Sequence, residues 1–144
     1  MTGAEVAEKG SVGNTFEVEK SKLALKQVTS PKIKASAKMM ISDHTTAEKK
    51  LMNAAKATGP VEMKLDSPHK AMLDVLQGQT GNAFDKAYVA DQVQAHQETA
   101  SVLGDYRKTG DNAKLKTWAK MTLSKVEMHQ EDPCHILEGF AVTA

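Results

Sequence analysis

Aromatic residues make up only 4% of this 144-residue chain. That leaves few platforms for stacking bases, which single-stranded nucleic-acid binders require. Charge of one sign is lacking too. There are 19 basic and 18 acidic residues, for a formal net charge of +1. No global field is available to draw in nucleic acid or an anionic membrane surface. With a single cysteine, Cys134, no internal disulfide can form, and cysteine usage does not fix the compartment. No run approaches the roughly 20 apolar residues of a membrane span. Residues Met1 to Gly13 also lack the apolar region of a secretory signal. That start suits either a protein kept in the cytosol or a mature exported form. Phosphate-binding loops and dinucleotide fingerprints are absent, and nothing arranges Ser, His and Asp as a triad.

What is present favours helix. Ala, Lys, Met, Leu, Gln and Glu dominate, and Gly and Pro cluster between periodic segments. A chain of this length is one domain able to bury one sizeable core. Residues 1–13, with three glycines among charges, read as a flexible arm. A first helix is expected from Asn14 as cap, with Glu17 completing a capping-box-like pair. Its inner stripe is Val18, Ser21, Ala24, Leu25 and Val28, with Glu19 on the opposite side. Ser30-Pro31 caps and opens a second helix to about Ala57. Ile33, Ala37, Met40, Ile41, His44, Ala47 and Leu51 form its stripe. Residues 58–79 read as a long irregular connection. Ser67-Pro68 can open a short helix there, with Ala71, Met72, Val75 and Leu76 packing inward.

A third helix is expected from about Gly81 to Lys108. Val89, Val93, His96, Ala100 and Leu103 recur at steps of four and three, which makes a bundle seam. Thr109-Gly110-Asp111 ends it and caps a fourth helix. That helix carries Leu115, Ala119, Thr122, Val126 and His129 until Pro133 ends or kinks it. Residues 133–144 read as an irregular tail. Residues 14–132 thus form an all-α, antiparallel four-helix bundle, expected in up-down-up-down order.

Three histidines on apolar stripes then need partners. Counting about thirteen residues either way from the first turn puts Glu17 and His44 at one level, and His96 falls there too. His129 counts to roughly 7 Å lower, at 1.5 Å per residue. Imidazole and carboxylate donors suit zinc, copper or iron. Glu17, His44, His96 and His129 are therefore the candidate metal ligands, with Asp43 orienting a histidine from behind. Met40 could add a thioether, although a bundle methionine more often fills core. The plainer alternative is a layer of histidines hydrogen-bonded to their neighbours. A carboxylate-rich di-iron centre does not fit. It needs Glu three residues before its histidines, and here those positions hold Ile41, Val93 and Val126. Cys134-His135 makes a poor metal motif next to Pro133.

Several segments resemble a bacterial family catalogued as domain of unknown function 4142. Thr15-Phe16-Glu17-Val18-Glu19 with Ser21-Lys22-Leu23-Ala24-Leu25 is similar to its first helix. Met40-Ile41-Ser42-Asp43-His44 carries its Met-x-x-Asp-His signature. Ala83 to Tyr88 and Gln92 to His96 resemble its third helix, and Lys114 to Lys116 with Ala119, Leu123 and His129 its fourth. The resemblance covers roughly Val12 to Gln130. It departs at Leu123-Ser124, where the family has Leu-Pro, and in the tail. It implies a ferritin-like bundle and a periplasmic location. The first functional expectation is a non-enzymatic envelope protein acting by protein contact or in stress tolerance. The alternative is a transition-metal-binding bundle that uses the histidine layer. A hydrolase or oxidase ranks last.

Overall fold

The computed structural model describes the backbone of residues 1–27 and 30–143, and side chains up to residue 130. Five α-helices follow one another: α1 Gly3–Gln27, α2 Pro31–Ala54, α3 Ser67–Gln77, α4 Gly81–Thr109 and α5 Ala113–Thr143. Four of them form the bundle. α1 packs on α2 and α4, and α5 packs on α4 and α2. Two apolar clusters fill its ends. Val6, Leu51, Leu103, Tyr106, Leu115 and Trp118 meet at one end. Ala24, Ile33, Ala37, Leu76, Phe84 and Tyr88 meet at the other. Polar side chains occupy the level between them.

These clusters fix the helix directions. α1 and α5 start at the Val6 end, whereas α2 and α4 finish there. All packed neighbours are antiparallel, but the order along the chain is up, down, down, up. The expected up-down-up-down order is therefore corrected. The reason is the connection after α2, which runs the length of α1 instead of turning back at once. Ser11 reaches the Glu62 carbonyl, the Phe16 ring meets His69 at 4.9 Å, and Gln27 donates to the Gln77 carbonyl. Within this crossover Leu76 is buried, but Val75 is 62% exposed, contrary to its expected inward packing. An eleven-residue helix lying on a bundle needs only a narrow stripe, and Val75 sits beside it.

Residues 3–13, expected as a flexible arm, are the first turns of a helix. α1 begins at Gly3, and a reciprocal capping box starts it: Glu5 N donates to Thr2 Oγ1, and Thr2 N donates to the Glu5 carboxylate. Val6 and Ala7 are fully buried. Two of the three glycines, Gly3 and Gly10, serve close contact. A Cβ on Gly10 would come within 2.8 Å of the Trp118 ring and 3.0 Å of Leu51. Asn14 and Glu17, expected as caps, therefore lie mid-helix with their side chains free to enter the core. Ser30 caps α2 as expected, accepting from Ile33 N. Asn112, not Asp111, caps α5, while Asp111 accepts from the Tyr106 hydroxyl. The backbone of α5 continues helical past Pro133 where an irregular tail was expected. A proline removes one intrahelical bond and kinks a helix without having to end it. The expectations for Val28 and for the Cys134 and His135 side chains lie outside the described residues.

Candidate metal centre

His44 on α2, His96 on α4 and His129 on α5 project into the polar middle layer. They are 6%, 2% and 2% exposed. Their ring centroids form a nearly equilateral triangle with sides of 5.7, 5.5 and 5.4 Å. One ring nitrogen from each lies within 4.8 Å of the other two.

Each ring is pinned from behind. His44 Nδ1 is 2.9 Å from Asn14 Oδ1. The Asn14 amide is itself oriented, because its Nδ2 donates to the Glu48 carboxylate at 2.9 Å and Ser11 Oγ holds the same carboxylate at 2.6 Å. Asn14 Oδ1 must then accept, and His44 Nδ1 must carry the proton. His96 Nδ1 donates to the Gln92 carbonyl at 2.8 Å. His129 Nε2 donates to Asp43 Oδ2 at 2.7 Å. A neutral imidazole has one donor nitrogen and one acceptor nitrogen. The backing bonds thus leave lone pairs on His44 Nε2, His96 Nε2 and His129 Nδ1, the three that face inward. His96 Nε2 and His129 Nδ1 stand 3.3 Å apart, and His44 Nε2 is buried with no hydrogen-bond partner. Histidines held on one nitrogen by a carbonyl or carboxylate, with the other nitrogen free, are arranged as metal ligands are.

Glu17 is beside this group, not in it. Its Oε1 lies 3.8 Å from His96 Nδ1, the backing nitrogen, and 3.3 Å from Lys20 Nζ. Oε2 is buried without a partner. Lys20 is fully buried, bonds Gln92 Oε1 at 3.2 Å and lies over the Phe16 ring. Burial works against a charge on Glu17, but Lys20 and then His96 and His44 outweigh it and hold its pKa below the usual carboxylate range. Burial also lowers Lys20, and Glu17 opposes that shift. His44 is pushed down to about 4, first by burial and against the pull of Glu17. His96 is lowered in the same way. His44 and His96 are therefore neutral, lone-pair-bearing imidazoles at ordinary pH.

The structure therefore brings His44, His96 and His129 together, with Asp43 behind His129 and Glu17 behind His96. His129 was expected a level away. Helical Cα–Cβ bonds tilt toward the helix N-terminus, and α4 and α5 run oppositely, so the two side chains lean toward each other and close the gap. The second ring of residues was missed, namely Ser11, Asn14, Lys20, Glu48 and Gln92. Helical spacing was the available signal. Lys20 stands three after Glu17 and four before Ala24, Glu48 four after His44, and Gln92 four before His96. Met40 is fully buried one turn before His44.

Fold and site together define a helical bundle with a tri-histidine cluster at its core. The chain belongs to the domain of unknown function 4142 family, whose profile matches residues 1–135. Similar solved structures are those of CopM. In its Cu(II)-bound form the TM-score is 0.81 at 14% identity, covering 97% of this chain and 98% of that one. In its Cu(I)-bound form the TM-score is 0.80 at 12% identity, covering 97% and 98%. In its Ag-bound form, from co-crystallization, it is 0.79 at 13% identity, covering 96% and 97%. Likeness at such identities establishes the shared fold. No curated protein matches the chain. No helix among the described residues is long and apolar enough to cross a membrane.

Proposed function

We propose that this protein binds a transition-metal ion of the copper class in its core, through His44 Nε2, His96 Nε2 and His129 Nδ1. The observation that carries the reading is the convergence of three lone pairs whose opposite nitrogens are all engaged. A purely structural layer would pair donors with acceptors. With each ring carrying one proton, on the nitrogen bonded behind it, His96 and His129 instead present two acceptors to each other at 3.3 Å. A cation on those nitrogens turns that repulsion into attraction. Imidazole bonds of about 2.0–2.1 Å suit such spacings after small adjustments. Imidazole donors suit copper, zinc, iron and nickel. The copper- and silver-bound forms of the structurally similar CopM favour copper among these, with silver beside it.

Asp43 would orient His129 and strengthen it as a donor, while Glu17 would offset part of the added positive charge from behind His96. With the histidines 6% exposed or less, the site suits holding an ion more than turning over a substrate. Sequestration in the bacterial envelope is the role we infer, and it replaces protein contact as the leading reading. Metal analysis of protein purified without a histidine tag tests it. Copper or silver should also raise the melting temperature of the wild type. A hundredfold excess over Kd contributes about 2.7 kcal/mol. His44→Leu and His96→Leu should lose most of that gain, and equal gains in all three proteins would refute the assignment.

A further inference from the structure

Two openings lead to the histidine cluster from opposite sides of the bundle, and they differ in charge. The first is a cavity of about 400 Å³ between α1 and α4, roofed by the crossover. Among the described residues, Glu8, Glu17, Asp66 and Glu98 line it against a single lysine, Lys9, and it ends at His44 and His96. The second is a wider groove of about 870 Å³ between α2 and α5, which ends at His44 and His129. Among the described residues, Lys50, Lys56, Lys114 and Lys125 line that groove against one carboxylate, Asp43, already bonded to His129. None of those four lysines has an ion-pair partner among the described residues.

Resting on the metal-binding reading above, we propose that the cation reaches the cluster through the α1/α4 cavity and that the lysine-lined groove repels it. Charge alone does not carry this. Of the polar atoms buried without partners, Glu17 Oε2 belongs to a residue that lines the acidic cavity and not the groove, and His44 Nε2 belongs to one that lines both. A cation moving inward passes exposed Glu8 and Glu98 and the Asp66–His69 pair before it meets those two atoms. Clefts lined by one sign of charge concentrate ions of the other sign and raise on-rates. On the far side, four ammonium groups set up a barrier of the same physical kind and opposite direction.

Trp118 reports on arrival, since it is the only tryptophan and lines both openings. Stopped-flow quenching of its fluorescence by Cu²⁺ gives the on-rate, and transfer to a chelator gives the off-rate. Glu8→Gln combined with Glu98→Gln should lower the on-rate on the order of tenfold at low salt, and the deficit should shrink as salt screens the mouth. Lys50→Gln combined with Lys125→Gln should not slow it. Filling the cavity with Thr99→Phe should slow uptake and release together and leave Kd within about twofold, because a plug changes the path and not the end state. If Cu²⁺ binds the wild type but both the acidic-mouth and plug variants take it up at the wild-type rate, the route is overturned and the binding site stands. A slowing produced instead by Thr117→Phe in the lysine groove overturns it equally. A wild type that takes up no Cu²⁺ overturns the binding reading and the route with it.

Discussion

Acid should separate the wild type from His44→Leu in a way that depends on the cluster alone, without any metal. Folded His44 has its pKa pushed down to about 4 from an ordinary 6.5, first by burial. Below pH 6.5 the unfolded chain therefore binds the proton more readily than the folded one, and stability falls as pH drops. The loss is complete near pH 4 and amounts to about 3 kcal/mol for this residue. His96, lowered for the same reason, adds to it in the same direction. His44→Leu has no such proton to bind. At pH 7 the variant carries a different cost, since Asn14 Oδ1 loses its donor in a buried place, worth about 1–3 kcal/mol, partly offset by a better-packed apolar side chain. The variant should thus be the less stable protein at pH 7 and should match or exceed the wild type near pH 5. Urea titrations with a chelator present, at pH 7, 6, 5 and 4.5, read this directly. Two stability curves that stay parallel across that range would refute the neutral, desolvated state assigned to His44.

Glycine substitutions on α1 should split by position. Gly10→Ala drives a methyl into Trp118 and Leu51 and should cost about 1–3 kcal/mol, whereas Gly13→Ala, with nothing within 4 Å, should stabilise by about 0.5–1 kcal/mol in thermal melts. Val6→Ala should cost roughly 1–3 kcal/mol in urea, since Val6 is fully buried against Tyr106 and Leu115; no change would mean that the first turns of α1 do not dock. Asp43→Asn should leave stability nearly unchanged and weaken copper affinity about 10–100-fold by titration calorimetry, because Asp43 holds the tautomer of His129.

The bundle was legible because its stripes are long. Ile33, Ala37, Met40 and His44, and Val89, His96 and Leu103, recur at helical spacing for many turns, and Ser30-Pro31 marks a turn unambiguously. Helix order was not legible, because direction depends on where residues 58–80 travel. That path is set by tertiary contacts at Ser11, Phe16 and Gln27, which have no local signature. The start of α1 was obscured by three glycines, which propensity reads as mobility but which partly serve close contact with Trp118 and Leu51. His44, His96 and Glu17 could be assigned to one level by counting. His129 could not, because residue counting ignores the opposing tilt of side chains on antiparallel helices. The backing residues stayed hidden for another reason. Asn14, Lys20 and Glu48 belong to types found mostly at surfaces, and only the partner facing each one makes burial tolerable.

X-ray absorption at the copper edge, on protein loaded with one equivalent of copper, reads the ligands of the bound ion. Coordination by the cluster should give a nearest shell of nitrogen with outer-shell scattering from about three imidazoles, and that scattering should be lost in a variant carrying His44→Leu and His96→Leu. A shell dominated by sulfur, or an imidazole signal unchanged in that variant, would contradict it.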